Sequence, residues 1–133
     1  MKKRTTSSCP IALSLDLLGD KWSLVILRDV LLGGKSHFRE FLASPEKVST
    51  NILSARLESL VDDGFLTKHA DISNKSAAIY KPTRKALDLL PVLFEFMNWG
   101  ARYTNADATI PGVKMVLDEP ETVKAMVLER FAS

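Results

Sequence analysis

A single cysteine, Cys9, stands in a chain of 133 residues, so no disulfide can form within it, which fits a reducing cytoplasm. Histidine is nearly as scarce: His37 and His69 lie far apart, and neither a Cys-x-x-Cys nor a His-Glu-x-x-His spacing occurs. No glycine-rich loop follows a strand pattern either, so no metal, nucleotide or other cofactor is expected, and no paired set of titratable residues points to an enzyme. Long apolar runs are missing too. Asp16, Asp29, Asp88 and Glu95 cut them well short of the ~20 residues a membrane span needs, and no membrane partner is expected. Met1-Lys2-Lys3-Arg4 has the charge that opens a signal peptide, but Ile11-Ala12-Leu13-Ser14-Leu15 is too short an apolar core before Asp16. The net charge of +2 is too small to mark a nucleic-acid binder by itself, so its distribution matters more. Residues 35–85 hold nine Lys or Arg against six Asp or Glu, whereas from residue 105 onward three basic residues face five acidic ones. The positive excess therefore lies in the middle of the chain.

What is present suits one soluble globular domain of ordinary size, with 46% hydrophobic and 26% charged residues. Its organising stretch is residues 49–64. Leu53, Leu57, Leu60 and Val61 recur at helical spacing, so one stripe can be buried, while Ser49, Thr50, Asn51 and Ser54 crowd short polar groups into the leading end. Ser49 is placed to cap this helix and Gly64 to end it. A helix of this kind suits a DNA major groove, although an ordinary surface helix has the same pattern and the neighbouring segments must decide.

Before it, Pro10 opens a helix capped by Cys9, with Ile11, Leu13, Leu15, Leu17 and Leu18 following, and Gly19 ends it. Asp20 caps a core helix over residues 21–32 carrying Trp22, Val25, Ile26 and Val30. Gly33-Gly34 breaks that helix. A short one follows over residues 36–43, burying Phe38, Phe41 and Leu42, and Pro45 closes it. Two helices joined by the loop Glu46-Lys47-Val48 make a helix-turn-helix. Beyond Gly64 the period becomes that of strands, residues 65–70 and 76–81 around a polar loop, which gives a hairpin wing. Thr83 caps a long apolar helix running to Tyr103, with a bend or restart at Pro91. That helix has more apolar surface than a small winged domain covers, and a second copy of the chain is the expected cover. In the tail, alternating Val113, Met115 and Leu117 predict a short strand, and residues 119–131 predict a helix on Val123, Met126, Val127 and Phe131.

These residues resemble the HxlR-type winged-helix transcriptional regulators, relatives of the MarR group. The resemblance rests on Cys9-Pro10, Leu17-Leu18-Gly19-Asp20-Lys21-Trp22, Ile26-Leu27-Arg28-Asp29 and Phe38-Arg39-Glu40-Phe41. It continues through Ser49 to Leu60 with Gly64, then Tyr80, Thr83, Leu90-Pro91-Val92-Leu93 and Trp99-Gly100. It implies a mainly α fold with a small β-hairpin, a winged helix-turn-helix that dimerises through its first and last long helices. A prokaryotic, cytoplasmic, homodimeric regulator of transcription is implied, with double-stranded DNA as partner and repression of an inverted-repeat operator as its action. The winged and dimerising domain spans residues 1–104; residues 105–133 form a C-terminal extension, a short strand plus helix, packed on the same domain. Pro82 replaces a usual aliphatic residue and Ala86 a frequent glycine, both where the wing joins the last helix. The alternative is a winged helix used to bind another protein, which an apolar surface around Asn51 would favour.

Thr50, Asn51, Ser54 and Ala55 are the candidate base contacts, with Asn51 able to pair bidentately with adenine and Ala55 to touch a thymine methyl. Arg39, Lys47, Ser49, Arg56, Lys68, Ser73, Asn74 and Lys75 are the candidate phosphate contacts, each balanced against a solvated surface role. Arg56 can equally pair with a neighbouring carboxylate. Cys9, at a helix N-terminus near Lys2, Lys3 and Arg4, has its thiolate favoured, and several members of the resembling family sense oxidants with a cysteine at this place. The plainer reading makes Cys9 a small residue packed at a dimer edge. A small-molecule or oxidant effector is the remaining candidate partner, and an apolar cleft between dimer helices its candidate site.

Overall fold

A computed structural model describes residues 7–132, the side chain of Lys75 excepted, as two compact units that divide after Thr83. In the first unit, α1 (Pro10–Leu18), α2 (Lys21–Leu31), α3 (Phe38–Leu42) and α4 (Thr50–Asp62) precede an antiparallel hairpin of β1 (Leu66–Asp71) and β2 (Asn74–Pro82). Helix α2 is the core element: Ile26, Leu27, Val30 and Leu31 are all but sealed from solvent, together with Phe41 of α3 and Leu53, Leu57 and Leu60 of α4. Asp20 caps α2 through its side chain, which accepts from the Ser23 amide, as its residue type and place suggest. Helix α1 buries no residue; Ile11, Leu13 and Leu15 all face solvent.

The junction of α4 and the wing follows from Gly64, whose φ of 83° is a left-handed conformation that a Cβ disfavours. The Phe65 amide donates back to the Leu60 carbonyl at 2.8 Å and the Gly64 amide to Val61 at 3.1 Å, the Schellman pairing, with Phe65 and Leu60 both buried. Thr83 then donates its hydroxyl hydrogen to the carbonyls of Gly64 (2.6 Å) and Phe65 (3.2 Å). Between these ends the ladder pairs Leu66 with Pro82 through Ala70 with Ala78, and a bulge brings Asp71 opposite Asn74. The hairpin is thus longer than its strand pattern predicts. The polar loop folds into strand and turn because Asp71 Oδ1 accepts from both the amide and the hydroxyl of Ser73, leaving only Ile72 and Ser73 between the strands. Tyr80 fastens β2 to the helical side: its amide donates to the Ser36 carbonyl at 2.8 Å and its ring meets Phe41 edge-on.

The second unit comprises α5 (Arg84–Leu87), α6 (Leu90–Tyr103), α7 (Pro111–Asp118) and α8 (Pro120–Arg130). The chain restarts at Pro91, which sits in the first turn of α6 where its missing N–H breaks no helical bond. One expectation is overturned: the tail has no strand over Val113, Met115 and Leu117, but helix α7. Pro111 opens it, a Lys114–Asp118 ion pair of 2.6 Å links successive turns, and its buried residue is Val116, which strand alternation would have turned outward. The alternation was incidental to a helix packed on α6 and α8. Large apolar residues stay exposed on α6: Phe96, Trp99 and Tyr103 each retain about 60% of their surface.

Candidate nucleic-acid interface

Helix α4 divides its residues as the leucine spacing requires. Ser49 caps it, its hydroxyl accepting from the Ile52 amide at 3.2 Å, and Leu53, Leu57 and Leu60 face inward. Thr50, Asn51, Ser54 and Ala55 are all exposed. At roughly 100° per residue, Asn51 and Ala55 lie opposite the mean direction of the leucines, with Glu58 and Asp62 following on the same face. The outward face is therefore neutral and hydrogen-bonding at its N-terminal half and acidic at its C-terminal half. A polyanion is accepted at the first half and repelled from the second, so only the leading end can enter a groove. Glu58 and Asp62 were not among the sequence-derived site residues, although their spacing from Asn51 carries the signal.

The flanks of α4 have different neighbours. Ser54 borders a cleft of about 430 Å³ with Phe38, Glu58, Lys68 and Tyr80, which places it on the wing side. Arg56, on the opposite flank, is half-buried with Nη1 3.8 Å from Asp20 Oδ1, so the carboxylate it meets is the cap of α2 and not one on its own helix. Of the other candidate cations, Arg39, Lys47 and Lys68 are exposed. Lys68 and Arg39 both border a second groove of about 780 Å³ between α3 and the wing. Ser73 and Asn74 hold the hairpin tip together: Ser73 donates to Asp71, and Asn74 Oδ1 accepts from the amide and hydroxyl of Ser76. Lys75 lies outside the described side chains, as Lys2, Lys3 and Arg4 lie outside the described residues. Cys9 is exposed at the N-terminus of α1, where the amides of Ala12 and Ile11 hold its thiol below the usual range.

Two polar assemblies behind this surface escaped sequence reasoning. In the first, His37 at the N-terminus of α3 reaches the end of β1, its Nε2 3.0 Å from Asp71 Oδ2 and its Nδ1 2.9 Å from the Ser36 hydroxyl. The Asp71 hydrogen bond, with Glu40 nearby, raises the imidazole above its ordinary pKa. In the second, Arg28 and the buried Asp29 of α2 meet the turn between α3 and α4. Arg28 forks onto Glu46 (2.7 and 2.9 Å) and onto Asp29 Oδ1, while Ser44 donates to Asp29 Oδ2 and accepts from Lys35 at 2.6 Å. Among the described residues no buried side-chain nitrogen or oxygen lacks a partner. The available signal was an Arg-Asp pair inside an otherwise apolar core helix.

Comparison with known proteins agrees with this geometry. Residues 17–108 match the family model described as HxlR-like helix-turn-helix. The helix-turn-helix-type transcriptional regulator YdeP of Bacillus subtilis is 30% identical over 95 residues, covering 71% of this chain and 73% of its own. A crystal structure of PA1607, described as a candidate transcription factor, superposes with a TM-score of 0.68 at 39% identity, over 76% of this chain and 69% of that one. The reduced form of the transcriptional regulator YodB from B. subtilis superposes at 0.59 and 26% identity, over 76% of this chain and all of that one. An outward polar helix end on a helix-turn-helix, a hairpin wing beside it, and a family match over most of the chain lead to one conclusion: the chain belongs to the HxlR-like helix-turn-helix family of DNA-binding transcriptional regulators.

Proposed function

We propose that this protein is a sequence-specific repressor that occupies an inverted-repeat operator as a homodimer. The observation that carries the reading is the division of α4, with Leu53, Leu57 and Leu60 sealed and Thr50, Asn51, Ser54 and Ala55 open at its leading end. In this reading Asn51 reads adenine, Thr50 and Ser54 meet adjoining base edges, and Ala55 contacts a thymine methyl. Arg39, Lys47 and Lys68, with Ser49 and the tip residues Ser73 and Asn74, hold phosphates, whereas Arg56 orients α4 through Asp20. The polar character of the surface around Asn51 favours DNA over a protein ligand. Dimerisation is supported by α1, which buries nothing, and by the bare aromatic stripe of α6, where Pro91, Val92, Glu95, Phe96 and Trp99 border an open groove of about 640 Å³. Two such subunits would set their α4 helices about one duplex turn, ~34–36 Å, apart.

An oxidant or electrophile is the proposed effector. YodB, the relative described above, is also known in a quinone-bound form, and here the exposed Cys9 has a thiol held low by two amides. Footprinting on the DNA upstream of the protein's own gene, with and without mild peroxide, tests both parts. A two-fold-symmetric footprint is expected, and Asn51→Ala is expected to weaken it by about 1–3 kcal/mol and relax one base position per half-site. An unchanged titration for Asn51→Ala removes that residue from base recognition. Equal peroxide responses in wild type and Cys9→Ser remove Cys9 from sensing.

A further inference from the structure

The family-like motif Ile26-Leu27-Arg28-Asp29 contributes two apolar residues to the core, but burying a charged pair beside them needs its own explanation. The turn between α3 and α4 supplies one. Arg28 presents both terminal nitrogens to Glu46, Nη1 to Oε2 at 2.7 Å and Nη2 to Oε1 at 2.9 Å, a planar fork that fixes the carboxylate in direction as well as distance. The same guanidinium is anchored from behind by Asp29, through Nη2 at 2.7 Å and Nε at 3.1 Å. Asp29 is 5% exposed; its other oxygen takes the Ser44 hydroxyl, and Lys35 closes the chain onto Ser44 at 2.6 Å. Three points of one short turn and its approach, Lys35, Ser44 and Glu46, are thus tied to the end of α2. The carboxyl of Glu46 is lowered to about 2 by the Arg28 hydrogen bonds, so the pair stays ionised throughout the physiological range.

The next residue shows what the tie accomplishes. Lys47 has φ 58°, a left-handed backbone that a residue with a Cβ adopts only where its surroundings impose it. Lys47 donates its amide to the Ser44 carbonyl at 3.0 Å, the chain reverses, Val48 is buried, and Ser49 caps α4. The direction in which α4 leaves the turn is set at Lys47, and Glu46 is the residue held immediately before it.

We propose that Arg28 and Glu46 are positioning residues for DNA recognition: their fork fixes the entry angle and register of α4, and so sharpens discrimination between sequences without touching a base. This rests on the DNA-reading role of α4 proposed above. It has a distinctive sign. Glu46 is an anion in the loop leading into a DNA-facing helix, so by charge alone its removal strengthens binding to every duplex. A positioning role weakens binding to the preferred duplex and leaves other sequences unchanged or more tightly held.

The test uses the full chain and two duplexes of equal length, one selected by the wild-type protein from a random pool and one of unselected sequence. Glu46→Gln removes the charge at constant shape. Glu46→Asp keeps the charge and withdraws the carboxylate by one methylene, so it decides the matter if the first variant fails to fold. With cooperative thermal unfolding retained, both are expected to bind the selected duplex about tenfold more weakly. Both should bind the unselected duplex no more weakly than wild type, with the salt slope unchanged. Undiminished affinity of the folded variants for the selected duplex overturns the proposal, as does an equal loss on both duplexes. Loss of folding in both variants overturns it too, because the pair then serves stability alone. If wild type enriches no sequence from the pool, the DNA-reading role itself fails, which is a separate result from a selective wild type with indifferent variants.

Discussion

Helices α4 and α6 are of similar length, but α6 is the more apolar, and they treat their surfaces in opposite ways. Helix α4 turns Leu53, Leu57 and Leu60 fully inward and leaves short polar groups outside with Ile52 part-exposed among them, whereas α6 buries Leu90, Leu93 and Phe94 and still exposes Val92, Phe96, Trp99 and Tyr103. The first pattern is complete within one chain. The second is what a helix looks like when part of its cover comes from elsewhere, since bare aromatic stripes are costly in water and uncommon on solitary soluble proteins. In the proposed dimer the two helices would divide the labour, α4 meeting DNA and α6 the second copy.

The largest expected effect lies on the sealed side. Leu57→Ala, at a site 1% exposed, should lower the unfolding free energy by about 2–5 kcal/mol in denaturant titrations. A change well under 1 kcal/mol would mean that the α4 stripe is not core. Trp99→Ala is the counterpart on α6: it should weaken self-association by about 2 kcal/mol, some 30-fold, in sedimentation experiments, as removal of an aromatic interface anchor does. A wild-type protein that sediments as a monomer at all concentrations dissolves the contrast between the helices.

A smaller effect sharpens the comparison inside the first unit. The His37–Asp71 contact joins α3 to the wing, and the imidazole, in a groove bordered also by Glu40 and Arg39 of α3 and by Lys68 of the wing, titrates above its ordinary value. Its stabilising contribution is complete below the unfolded value of 6.5 and is lost as pH rises through the raised folded one. Protection of hairpin amides, corrected for intrinsic exchange, is therefore expected to fall between about pH 5.5 and about pH 8, and His37→Gln should flatten that dependence. Equal protection at both values would show that the wing is held without the imidazole.

The helix-turn-helix and wing were legible because each rests on local chemistry. Ser49 caps, Gly64 ends, the leucines keep a period of 3.6, and two strand-like stretches flank a polar loop. The exposed leading end of α4 was legible for the same reason, since exposure there is the complement of the leucine stripe. What escaped depends on partners distant in sequence. Nothing in the local sequence around Arg28 names Glu46, and Asp20 was not foreseen as the partner of Arg56. The tail failed differently: Val113, Met115 and Leu117 satisfy a strand's alternation, while Pro111 and the Lys114–Asp118 spacing, which favour a helix, were given too little weight.

The fastening of the hairpin has a mechanical consequence. One strand is launched from the Gly64–Phe65 corner, and the other returns to it through the Thr83 hydroxyl. Both legs of the wing thus share one footing at the base of α4, and the Tyr80–Ser36 and His37–Asp71 contacts pin the hairpin to the α3 side farther along, so sideways force on its far end loads those ties before it strains the ladder. A body lodged between the hairpin and α3 would have to break those ties first, and α4 would stay wound while it did so.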